Sequence, residues 1–137
     1  MATIKSYTDI EQSKKLAEFL PLESADMEYL SIKENGALVG AVPFVKDDSE
    51  VEDSAYSHIY NRISCWSLAA LINIIPQELF DGEYIINITE GLDNKWILTY
   101  DHYEKRNHSF YGLSAGADNL VDACTDIIIK LKERNII

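Results

Sequence analysis

Ser64–Pro76, SCWSLAALINIIP, is the longest run of the chain with almost no charge, and it carries its own start and stop. Leu68, Leu71, Ile72 and Ile75 recur at i, i+3, i+4 and i+7, the spacing of one helical face. Ser64 or Ser67 can cap the first turn, and Pro76 lacks the N–H that a continuing helix needs. The stretch predicts a short buried helix over Ser64–Ile75 with Leu71 at the centre of the core, and the rest of the chain is arranged around it.

Downstream, Tyr84–Glu90 and Lys95–Asp101 flank the turn formers Gly91, Asp93 and Asn94, which makes this the clearest hairpin in the chain. A period of two puts Tyr84, Ile86 and Ile88 on one face, joined by Trp96, Leu98 and Tyr100 of the partner, with Asn87, Thr89 and Thr99 opposite. A further strand is expected within Glu104–Leu113. Asp118 then stands where a helix cap would, Asp122 adds negative charge to the first turn, and Lys130, Lys132 and Arg134 suit the last. Val121, Cys124, Ile128 and Leu131, widened by Leu120 and Ile127, give the helix Asp118–Glu133 its apolar stripe.

Upstream, Thr8-Asp9-Ile10-Glu11 has the Thr-x-x-Glu form of a capping box and predicts a helix from Thr8 to Leu20, stopped by Pro21. Met27–Ile32 and Ala37–Val45 form an expected hairpin around Asn35-Gly36, with Pro43 at a strand end or edge. The segment 56–63 fits a helix through Tyr56, Ile59, Tyr60 and Ile63, and nearly as well a strand through His58, Tyr60 and Arg62, so its state stays open. The order is α-β-β-α-β-β-α: a single α+β domain over 1–137, with an antiparallel sheet of four or five strands packed with three helices.

At 137 residues the chain can bury roughly two-thirds of the surface its unfolded form exposes. No apolar run reaches the roughly 20 residues of a membrane span, and there is no basic segment followed by a hydrophobic one at the N-terminus. Cytoplasmic residence is expected, and no membrane partner. Acidic residues outnumber basic ones 23 to 12, a net charge of −11, which opposes direct nucleic-acid binding. The same charge, concentrated in Asp47, Asp48, Glu50, Glu52 and Asp53, would suit an acidic decoy that occupies a nucleic-acid-binding protein.

Three segments resemble a family of short proteins from gut Bacteroides-type bacteria and their phages or other mobile elements. They are Glu23–Met27 (ESADM), Cys65–Leu71 (CWSLAAL) closed by Pro76, and Ala117–Cys124 (ADNLVDAC). A tyrosine-bearing strand, a glycine turn and a strand with an early tryptophan lie between the last two, matched by Tyr84, Gly91 and Trp96. The resemblance runs from about Glu23 to the end. It implies a compact α+β domain of bacterial or phage origin and transfers neither an activity nor any site residue.

Candidate chemistry therefore rests on the residues alone. Cys65, placed at or near a helix N-terminus beside Trp66, could have a lowered thiol pKa and act as a nucleophile with His58, His102 or His108 as base, as in a small hydrolase or transferase. Core packing is the competing reading. Asp101, His102 and His108 have metal-ligand chemistry without a known ligand spacing. Trp66 and the acidic run Asp47–Asp53 are the candidate interaction surface, since aromatic residues are favoured at interfaces. There is no glycine-rich phosphate loop, and no cofactor is expected. The reading is a non-enzymatic interaction or accessory module whose partner is another protein.

Overall fold

The computed structural model describes residues 5–46, 59–105 and 108–137. Among these it is α+β, with three helices, two antiparallel sheets of three and four strands, and two compact units. The strands expected in one sheet are thus divided between two. The unit boundary falls between Ala70 and Leu71.

The first unit contains helix α1 (Ile10–Ala17), a 3-10 turn at Leu22–Ser24, and strands β1 (Met27–Ile32), β2 (Phe44–Val45) and β3 (Tyr60–Cys65). Its sheet order is β2-β1-β3. The open segment resolves as a strand at Tyr60–Cys65, with Met27 opposite Cys65 and Ile32 opposite Tyr60. Sequence could not choose because β3 does not alternate: Asn61 and Arg62 are both exposed while Ile63 and Ser64 are both half-buried. The Asn35-Gly36 turn forms, with Gly36 at φ +73° and the Asn35 side chain accepting from the Ala37 N–H at 3.0 Å. Beyond it only a bridge at Leu38 and the two residues of β2 pair with β1, so the expected second strand is mostly irregular.

Helix α1 is capped one residue later than expected. Asp9, not Thr8, accepts from the Gln12 N–H at 2.8 Å, and the Gln12 side chain accepts from the Asp9 N–H at 3.1 Å. Thr8 is drawn inward instead. Its N–H donates to the Trp66 carbonyl at 2.9 Å, its hydroxyl accepts from the Trp66 N–H at 3.1 Å, and its carbonyl accepts from the Tyr29 hydroxyl at 2.7 Å. A buried threonine with every polar atom satisfied holds β1, β3 and the start of α1 together. Around it Leu16, Leu20, Ala25, Tyr29, Cys65 and Trp66 are buried.

Helix α2 (Leu68–Ile74) is shorter than the predicted Ser64–Ile75 because Ser64 and Cys65 belong to β3. Of the two candidate caps it is Ser67 that serves: its Oγ accepts from the Ala70 N–H at 3.2 Å, and Asp26 in turn accepts from the Ser67 N–H and hydroxyl. Leu71 is fully buried, as the apolar spacing requires.

The second unit carries β4 (Glu78–Leu79), β5 (Tyr84–Glu90), β6 (Trp96–His102), β7 (Ser109–Ala117) and α3 (Leu120–Glu133), with sheet order β4-β5-β6-β7. Residues 5–6 join it through an ion pair of Lys5 with Asp122 at 2.8 Å. The β5–β6 register pairs Ile86 with Tyr100 and Ile88 with Leu98, the faces read from the sequence. Leu98 and Tyr100 are fully buried, whereas Trp96 is only half-buried. α3 packs on β6 and β7 with Val121, Cys124, Ile127, Ile128 and Leu131 all buried. Its cap is Asn119 rather than Asp118: the Asn119 side chain accepts from the Asp122 N–H at 2.8 Å and donates to the Asp122 carboxylate at 2.7 Å.

Candidate functional site

The sequence-derived candidates part company in the structure. Cys65 ends a strand instead of opening a helix, and it is fully buried. Burial pushes its thiol up, and hydrogen bonds with Thr8, Ser13 and Tyr29 offset only part of that rise. The lowered pKa expected of a helix N-terminus is therefore reversed. Its thiol donates to the Thr8 carbonyl at 3.3 Å, and no histidine is among its partners in the described residues. Trp66 is also fully buried, with its indole N–H donating to Ser24 Oγ at 2.9 Å, which removes it from any surface.

Asp101 and His102 follow one another on β6 and so point to opposite faces of the sheet. The Asp101 carboxylate accepts from Asn87 at 3.0 Å and Ser109 at 2.8 Å. Partial burial raises its pKa, but these bonds and one from Thr99 lower it further, so the net shift is down. His102 Nδ1 accepts from the N–H groups of Glu104 and Lys105, both at 3.2 Å, and is thereby occupied. His108 is exposed and meets His102 through the backbone, its carbonyl accepting at 2.9 Å. Among the described residues no three side chains of His, Cys, Asp or Glu converge on a point that could hold a metal. The acidic run Asp47–Asp53 and His58 lie outside the described residues.

What the second unit does assemble is an aromatic cleft at the β4–β5 turn. Leu79 pairs with Tyr84, leaving Phe80–Glu83 as the loop, and the Glu83 N–H donates to the Phe80 carbonyl at 3.2 Å. Phe80, Asp81 and Gly82 have φ of +54°, +57° and +88°. Glycine adopts this region freely and aspartate tolerates it, but a bulky residue held there is strained by about 1–3 kcal/mol. The strain does not bury the ring. Phe80 remains 54% exposed, at the head of a chain of rings.

That chain is continuous. Phe80 lies 5.5 Å from Phe110 and 6.2 Å from Tyr84, Tyr84 meets Phe110 edge-on at 5.2 Å and His102 at 5.4 Å, and His102 stacks on Tyr103 at 5.5 Å. These separations are those of attractive offset and edge-to-face pairs. Phe80 and Phe110 line a cleft of about 720 Å³ together with Pro76, Leu79 and Ile136, and Glu78 and Arg134 bring the charges. Its size is within the range of ligand pockets, about 300–1,000 Å³.

The end of α3 builds the far wall. Asn135 takes a left-handed φ of +57°, its N–H donates to the Lys132 carbonyl at 2.9 Å, and the Ile136 N–H donates to the Leu131 carbonyl at 2.9 Å. This is a Schellman stop with asparagine in the place glycine usually takes, and it turns Ile136 back toward the cleft. Arg134 lies with its guanidinium carbon 5.5 Å from the Phe110 ring centroid. Between Thr99 and Asp101 the β6–β7 register is irregular, and Gly112 sits in that irregularity at φ +74°. A Cβ built there would collide with Nη2 of Arg134. The guanidinium makes no ion pair among the described residues.

The comparisons find no match to a protein family, a curated protein or a solved structure. The cleft must therefore be read from its own chemistry. Sequence carried one signal for it, Asp81-Gly82, a turn dipeptide; nothing marked Phe80, Phe110 or Arg134, which converge from three elements. Among the described residues no helix is long and apolar enough to cross a membrane.

Proposed function

We propose that this chain is a non-enzymatic protein-interaction module, an accessory protein of a bacterial mobile element or phage acting in the cytoplasm, and that the cleft around Phe80 is where its partner docks. One observation carries the reading: a phenylalanine is kept in a strained left-handed backbone and yet left 54% exposed on a cleft that it shares with Phe110. Strain of that kind persists where the surrounding structure over-determines it, and it clusters at binding sites. The biological setting rests on the resemblance read from the ESADM, CWSLAAL and ADNLVDAC segments of the sequence. The net charge of −11 favours a protein partner over a nucleic acid.

The test is a pull-down from host lysate with the wild-type chain and Phe80→Gly, each at low and high salt. A glycine keeps the turn and removes the ring. One near-stoichiometric protein retained by the wild type at both salt levels and absent from Phe80→Gly is the expected result. Equal capture by both would move the interaction away from this cleft, and a DNA-binding protein released by salt would favour the acidic-decoy alternative.

A further inference from the structure

Within the proposed docking role, and resting on it, we infer that the cleft takes the C-terminal residue of a partner chain, its carboxylate on Arg134 and its apolar side chain against Phe80 and Phe110. Three observations bear on the occupant. Arg134 is without an ion pair among the described residues although acidic residues outnumber basic ones 23 to 12. Its guanidinium lies against the Phe110 ring and in the space that a Cβ on Gly112 would fill. Phe110 lies 5.5 Å from both the guanidinium carbon and the Phe80 ring centroid, and all three residues line the same cleft.

A planar fork recognises a carboxylate through paired hydrogen bonds. An acidic residue inside a peptide offers its carboxylate as the side chain, and in an extended segment the next residue points the other way. In a C-terminal residue the carboxylate and the side chain hang from one Cα, so a cation and a ring wall that adjoin can be met together. Glu78 reinforces the choice: its carboxylate lies beside Gly82, where it repels a second acid at the turn side of the cleft. The expected ligand is a chain ending in an aromatic or branched aliphatic residue.

Two probes decide the matter: N-acetyl-leucyl-phenylalanine and its C-terminal amide, titrated to millimolar concentration into the full chain and read by backbone amide NMR. The free acid should shift the signals of Phe80, Phe110 and Gly112. The amide, and the acid with Arg134→Met, should bind about tenfold more weakly, the loss of one charge-assisted interaction. Arg134→Lys should fall between, since it keeps the charge without the fork. Equal binding of acid and amide would overturn the carboxylate inference and leave the docking role standing. If neither peptide moves these signals the inference is likewise overturned, while the docking role is judged separately by the Phe80→Gly pull-down.

Discussion

The guanidinium of Arg134 occupies the place where residue 112 would carry its Cβ, and residue 112 is a glycine at φ +74°. The two positions are coupled although 21 residues of strand, loop and helix separate them, counted from 113 to 133. Gly112→Ala should therefore do two things. It should destabilise by about 1–2 kcal/mol through the left-handed backbone alone, and it should expel Arg134 from its seat on Phe110. Urea unfolding reads the first and the Arg134 Nε–H resonance the second; an unmoved resonance would show that the seat is not set by Gly112.

Phe80 makes a sharper test because the usual order of alanine and glycine should be inverted there. At most positions alanine is the more stable of the two, since glycine has more chain entropy to lose. At Phe80 the backbone is left-handed, so Phe80→Gly should be more stable than Phe80→Ala by about 1 kcal/mol, both lacking the ring. Thermal melts of the pair check this. The ordinary order would remove strain from the explanation of the turn.

Leu71 is fully buried, and Leu71→Ala should cost roughly 2–5 kcal/mol in chemical denaturation. An unchanged midpoint would mean that α2 does not anchor the core.

Both cysteines are free and buried, so iodoacetamide should label neither in the native protein and both after unfolding. Burial pushes the Cys124 thiol up to about 12. Its folded pKa lies above the unfolded one, so the stability it contributes is complete below the ordinary thiol range and is lost as pH rises toward about 12. Cys124→Ala should flatten the alkaline limb of a stability curve relative to the wild type. Rapid native labelling of Cys65 would instead reopen the nucleophile reading.

Asp101 has the opposite sign. Its carboxyl is held below the ordinary range against a desolvation cost by Asn87, Ser109 and Thr99, so its contribution is present above the unfolded carboxylate pKa and disappears as pH falls through the folded one. Asp101→Asn should lower the melting temperature at pH 7 and match the wild type near pH 2. A constant gap at both values would assign the effect to shape rather than charge.

Much of the fold could be read in advance wherever one residue type answers one local demand. Pro76 stops α2, Asn35-Gly36 turns the chain, and the Ile86–Tyr100 and Ile88–Leu98 pairs follow from alternation. Caps slipped by one residue at Asp9 and Asn119 because adjacent polar residues, Thr8 and Asp118, could each serve, and tertiary partners decided. β3 was ambiguous because its burial does not alternate, and it is this strand that makes a second sheet. The cleft was nearly invisible: Phe80, Phe110 and Arg134 meet only through register and a helix stop, and left-handed backbone at a phenylalanine has no sequence signature.

Thr8 finally bears on how the first unit is made. Three of its backbone and side-chain bonds close on Trp66 and Tyr29, and the Trp66 partner lies 58 positions further along the chain. A contact of that span carries a loop-closure cost that local helices do not, and it is a late event in a growing polypeptide. During synthesis α1 can therefore form from its own local contacts, while the packing of α1 and β1 around Thr8 is completed only after Trp66 has left the ribosome.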